Sequence, residues 1–104
     1  MLLTTIDTIQ GKEFEVIGII EGSATRAKHI GNDILASLKG IVGGEVHEYT
    51  KLLEETRSQA FSRLQERAES QAADAVIGIR VTTSTIAAGI SEILVYGTAI
   101  KFRS

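Results

Sequence analysis

The sequence has no cysteine, which excludes disulfides, thiolate catalysis and zinc sites built on thiolates. It also lacks a basic cluster. Its 11 Lys and Arg stand against 13 Asp and Glu, for a formal charge of -2, and the cations are scattered from Lys12 to Arg103. Nucleic-acid binding needs a concentrated positive face to neutralise phosphates, so nucleic acid is not an expected partner. No apolar run is long enough to span a membrane. The start, Met1-Leu2-Leu3-Thr4-Thr5-Ile6-Asp7, has neither the basic nor the long apolar part of a signal peptide. A cytoplasmic protein with no membrane partner is the expectation. No low-complexity tract points to disorder.

What remains is an ordinary globular composition, 43% hydrophobic and 23% charged, in a single domain spanning residues 1–104. A chain of this length hides only about two thirds of its unfolded surface when it folds alone. Burial against a partner copy is then a useful additional source of stability.

Leu2 to Ile6 reads as a short strand, and Lys12 to Gly22 as a longer one rich in β-branched residues. Alternation puts Phe14, Val16, Gly18 and Ile20 on one face and Glu13, Glu15, Ile17 and Ile19 on the other. The far half is apolar on both faces. It therefore calls for cover on both, by a helix on one and a neighbouring subunit or loop on the other. Apolar Ile30, Ile34, Leu35, Leu38 and Ile41 recur at helical spacing, predicting a helix from about Lys28 to Val42 that Gly31 and Gly40 weaken. Gly43-Gly44 breaks it. A second helix is predicted from Glu45–Glu48 to about Gln71. Tyr49, Leu52, Leu53, Ala60, Phe61, Leu64 and Ala68 form its apolar stripe, while Lys51, Glu55, Ser58, Ser62, Glu66 and Glu69 lie opposite. Asp74 to Thr83 reads as a strand, Thr82–Thr85 with Ala87-Ala88-Gly89 as a loop, and Ser91 to Phe102 as the last strand. The order β, β, α, α, β, β favours a two-layer α+β fold over a doubly wound parallel sheet.

Residues suited to chemistry are few. Arg57 lies inside the predicted apolar stripe between Leu53, Phe61 and Leu64, where a guanidinium needs an acid or several carbonyls. An ion pair in the core or at a subunit interface is the plainer reading, and a ligand-binding arginine the other. Gly43-Gly44 before a helix could cradle an anion through backbone N–H groups. However, Glu45 and Glu48 already occupy the first turn, and the Lys and Ser/Thr of a P-loop are missing. His29 and His47 are too far apart to form a helical pair. A divalent-metal site would need His47 with Glu45 or Glu48, or His29 brought in across space or across subunits. Solvent-facing histidines are the alternative. No Gly-x-Ser-x-Gly elbow is present, the Thr82–Thr85 hydroxyls read as structure rather than nucleophile, and Glu54 and Glu55 read as a solvated face. The expectation is a protein that is not an enzyme.

The constellation Ile41-Val42-Gly43-Gly44, Tyr49, Leu53-x-x-x-Arg57-x-x-Ala60-x-x-x-Leu64 and Ala73-Asp74-Ala75-Val76-Ile77-Gly78 resembles the YbjQ-like family of small bacterial and archaeal proteins, over about Leu2 to Phe102. That family is described as heavy-metal-binding and has no established activity. The resemblance implies a dodecin-subunit-like α+β chain assembling as a ring, a homopentamer, with itself as partner and a divalent metal as the one candidate cofactor. It nominates Gly43, Gly44, Tyr49 and Arg57 as ligand-binding positions; the metal candidates His29, His47 and Glu45 come from the residues themselves. The sequence departs from the pattern at Thr56, where the family usually has alanine, and at Ala72, usually glycine. If residue 72 is left-handed, alanine costs about 1 kcal/mol there. The first hypothesis is a ring whose strands complete neighbouring sheets, shielding apolar edges at Leu2–Ile6 and Ile93–Phe102. The second is a metal or small-ligand module with sites at subunit junctions.

Overall fold

The computed structural model describes residues 1–26, 44–87 and 90–103, the side chains of Arg26 and of 44–49 lying outside that description. The helix expected over Lys28–Val42 also lies outside the described residues. The elements are β1 (Leu2–Leu3), β2 (Phe14–Arg26), α1 (Gly44–Ser70), β3 (Ala75–Ala87) and β4 (Ile90–Phe102). The four strands form one sheet in the order β1-β3-β4-β2. β1 runs parallel to β3, and the other neighbours are antiparallel. The two-layer α+β expectation holds for the described residues.

Helix α1 begins at Gly44, just ahead of the predicted start at Glu45–Glu48, and ends at Ser70 against a predicted end near Gln71. Thr56, Ala60, Leu64 and Ala68 are buried, a single line at four-residue spacing, with Leu52, Leu53 and Phe61 half-buried beside it. The line settles on β2, and two alanines in it permit close approach. The closest point is Gly22. A Cβ added there would run into the Leu64 amide nitrogen and the Ala60 carbonyl oxygen, with Leu64 Cα at 2.9 Å. Helix backbone and strand backbone thus touch with no side chain between them. Ile20 and Ala24 flank Gly22 on the same face and join Ala60, Leu64, Val76, Ile79, Ile93, Val95 and Ala99 in the main core. Thr56 fits this layer because its hydroxyl donates to the Leu52 carbonyl at 2.8 Å, leaving its methyl to pack.

A bulge between Val16 and Gly18 changes the facing of β2. Phe14 and Val16 pair with Phe102 and Ile100, and Phe14 packs on the small second core of Ala75, Ile77 and Ile100. From Gly18 onward the even residues turn to the helix. The simple alternation expected from Phe14 to Ile20 is corrected accordingly. The second core lies on the sheet face away from α1 and is covered at that end by Ile9. Ile9 belongs to the connection that turns back through the Lys12 amide on the Ile9 carbonyl, 3.1 Å. Farther along the same face no cover exists among the described residues, and Ile19 is 82% exposed. The predicted double cover over Val16–Ile20 is therefore half supplied by the chain.

The Thr82–Thr85 loop is also corrected. β3 continues through it, Thr82, Thr83 and Ser84 pairing with Leu94, Ile93 and Glu92. Val81, the threonines and Ile86 are β-branched and suit an extended ladder. A second bulge falls between Ile77 and Arg80, where Gly78 takes φ 62°, a conformation open to glycine at little cost. β4 is central, between β3 and β2, so Ile93–Phe102 is not an apolar edge. Leu2 does lie on the β1 edge of the sheet.

The end of α1 is closed by a Schellman arrangement. The Ala73 amide donates to the Ala68 carbonyl at 3.1 Å and the Ala72 amide to the Glu69 carbonyl at 3.0 Å. Ala72 is left-handed, φ 58°, so the condition attached to this position is met. Ala72→Gly is expected to stabilise the fold by about 1 kcal/mol, a rise in melting temperature of about 4–8 °C. Gly22→Ala is expected to cost more than 2 kcal/mol, since neither helix nor strand backbone can yield locally. Thermal and urea denaturation of both variants measures the pair, and a neutral Gly22→Ala contradicts the backbone contact.

Candidate functional site

A cleft lies between α1, the segment after β1 and β3. Its volume is about 550 Å³, and it is lined by Leu3, Thr4, Thr5, Phe61, Ile79, Arg80 and Val81. Three separate parts of the chain build it. Leu3 to Thr5 are held along β3 by the Thr4 amide on the Val76 carbonyl at 3.0 Å and the Ile79 amide on the Thr4 carbonyl at 3.1 Å. Phe61 leans in from α1 at the flank of the buried line. Ile79 to Val81 follow the bulge, which turns Ile79 into the main core and leaves Val81 45% exposed.

Arg80 closes one rim. Its Nη1 donates to the Thr5 carbonyl at 3.2 Å and to the Ile79 carbonyl at 2.8 Å, which fixes the guanidinium to main chain rather than to an acid. The cleft is mainly apolar and within the size range of small-ligand pockets. It has no nucleophile beside a base and no cluster of acids. Among the described residues there is no group of three His, Asp or Glu that could hold a metal ion.

The nominated positions are not drawn together there. Gly44 opens α1. Gly43 and His29 lie outside the described residues, as do the side chains of Glu45, His47 and Tyr49. Arg57 is exposed, which overturns its placement in the core. The buried line runs through Thr56 and Ala60, the positions that face β2, and Arg57 stands one residue off it. Glu54 and Glu55 are exposed, as a solvated face requires. Sequence reasoning missed Arg80, Val81 and Phe61 as a group, because the bulge and the packing of α1 bring them together.

Among the described residues, the mixed sheet with a long helix on one face and an apolar cleft beside it makes an α+β fold. The whole-chain comparisons give its family. Residues 1–103 match the YbjQ family, described as "Putative heavy-metal-binding", and the chain belongs to it. It is 51% identical over 104 residues to a UPF0145 protein of Colwellia psychrerythraea, with 99% of each chain covered. It is 52% identical over 102 residues to one of Vibrio parahaemolyticus, with 97% of each covered. An archaeal relative, from Methanosarcina acetivorans, is 50% identical over 102 residues, covering 97% of this chain and 96% of its own. Among solved structures, a Pediococcus pentosaceus protein of unknown function from the DUF74 family superposes with a TM-score of 0.70 at 15% identity, over 99% of this chain and 98% of that one. That likeness concerns the fold.

Because Arg57 faces solvent in the single chain, Arg57→Leu is expected to leave the folding free energy of the isolated chain within about 0.5 kcal/mol. Urea denaturation at low protein concentration measures it, and a loss of several kcal/mol would restore the buried reading.

Proposed function

We propose that this protein acts as a non-enzymatic, cytoplasmic homo-oligomer, a dodecin-like ring of five copies in which each subunit's exposed apolar surface is covered by its neighbours. The carrying observation is shape. The radius of gyration is 17.0 Å and the principal extents are 57 × 23 × 16 Å, whereas a compact chain of about 100 residues has a radius near 13 Å. In β3, residues 81–87 are exposed. Ile6, Val16, Ile19 and Ile86 are each more than half exposed, on a chain that has few aromatics to spare for core elsewhere. Pentameric closure rests on the family resemblance. No helix among the described residues is long and apolar enough to cross a membrane.

A second reading is favoured by the family's description: a divalent metal or small ligand held at subunit junctions, with His29, His47 and Glu45 as metal ligands and Gly43, Gly44, Tyr49 and Arg57 nearby. Convergence across subunits could assemble ligands that one chain does not.

Multi-angle light scattering across a range of concentrations is expected to give a mass several times the 11.2 kDa of the chain; a concentration-independent monomer ends the first reading. Calorimetric titration with zinc, copper and nickel addresses the second. Heat that disappears in a His29→Ala/His47→Ala variant supports it, and absent or unchanged heat removes it.

A further inference from the structure

The two long edges of the sheet are treated differently. On β2, Arg63 Nη1 donates to the Ser23 carbonyl at 2.6 Å and Arg67 Nη1 to the Glu21 carbonyl at 3.1 Å. Both carbonyls point away from β4, so two arginines one helical turn apart cap the outer rim of an edge strand. On β3 the neighbouring segment reaches only as far as Ile79, through the Gly78 amide on the Ile6 carbonyl at 2.8 Å and the Ile79 amide on the Thr4 carbonyl. Past the bulge, Arg80, Thr82 and Ser84 pair with Tyr96, Leu94 and Glu92. Alternation of the antiparallel ladder then turns the main-chain groups of Val81, Thr83 and Thr85 outward. Nothing caps them among the described residues.

The composition of this rim is the second observation. Val81-Thr82-Thr83-Ser84-Thr85-Ile86-Ala87 contains no charge and no proline, the devices that keep a bare edge from pairing. A seven-residue run with five β-branched residues and no charge pairs readily with another strand. The cleft beside it offers Phe61, Leu3 and Val81 as an apolar seat for side chains of an added strand. The third observation is area. A compact chain of 11.2 kDa exposes about 5,700 Å² by the usual mass scaling, while this chain exposes 6764 Å². The excess, on the order of 1,000 Å², is close to the roughly 800 Å² each partner buries in a stable complex.

We propose that the outer edge of β3 from Val81 to Thr85, with the adjoining cleft, receives a strand from a second copy of this chain. The strand comes from the part of β2 that the arginines leave open. There Val16 is 65% and Ile19 82% exposed, ahead of the capped carbonyls of Glu21 and Ser23. Donor and acceptor surfaces are different, so the contact is head-to-tail and propagates around a ring. The inference rests on the self-assembly reading and adds the surface through which assembly occurs.

Thr83→Pro removes an outward N–H donor, and Ile19→Lys places a charge on the donor strand. Each variant is examined alone and in equimolar mixture by light scattering, with circular dichroism as the check on folding. The proposal expects each alone to be reduced to the 11.2 kDa chain. It expects the mixture to yield a one-to-one dimer, since one intact donor then meets one intact acceptor. Where Thr83→Pro does not fold, Val81→Lys replaces it, acting through an exposed side chain and leaving the ladder intact. An Arg63→Ala/Arg67→Ala variant is expected to keep the assembly and to gain larger species through the uncapped rim. Variants at residues 81, 83 and 19 that assemble like the parent protein overturn this surface while leaving self-assembly standing. A monomeric parent protein overturns both.

Discussion

Direct contact between two backbones organises this molecule. Gly22 of β2 lies against the Ala60–Leu64 stretch of α1 with no room for a Cβ, and the small Ala60 and Ala68 make the same approach possible from the helix side. Once the helix is seated on β2, which is an outer strand, it cannot also span the sheet to β3. The helix covers β2 and β4, closes the core of Ile20, Ala24, Leu64, Ile93 and Val95, and lets Arg63 and Arg67 reach round to the rim of β2. Among the described residues the opposite rim is left open.

The rest of the fold follows from that asymmetry. At one end both sheet faces are covered, by α1 and by the Ile9 connection, and β1 lies against β3. Asp74 ties this end together, its amide donating to the Ile100 carbonyl at 2.8 Å while its Oδ2 accepts from the Phe102 amide at 2.7 Å. Toward the hairpin, the described residues leave uncovered first the face opposite the helix and then β3 from Val81 onward, and the cleft at Phe61 and Arg80 marks the boundary. The site and the exposed rim are two views of one uncovered region.

Much of this was legible in the sequence, for identifiable reasons. The long helix announced itself by apolar residues at three- and four-residue spacing, and β4 by a β-branched run between breaks. Ala72 stood out because the YbjQ-like pattern usually has glycine after the long helix, and the residue there is left-handed, φ 58°. Arg57 was misplaced because a helical wheel ranks neighbours by hydrophobicity, whereas burial here is decided by which line of the helix meets Gly22, and that line passes through Thr56. The facing of β2 was misjudged because a bulge adds one residue without any sequence mark beyond Gly18. Thr82–Thr85 looked like a loop because polar residues suggest solvent; their branching, which favours extended backbone, was the overlooked signal. The cleft was not legible at all. Leu3, Phe61 and Val81 meet only after the sheet has formed.

The central claim is that the main chain of Val81, Thr83 and Thr85, without a partner among the described residues of its own subunit, has one in the working protein. Hydrogen–deuterium exchange resolved to these three amides, followed as the protein is diluted, tests it most directly. The account predicts protection comparable to that of paired strand amides at high concentration, lost on dilution as subunits separate. Exchange at the rate of a bare strand at every concentration would contradict it.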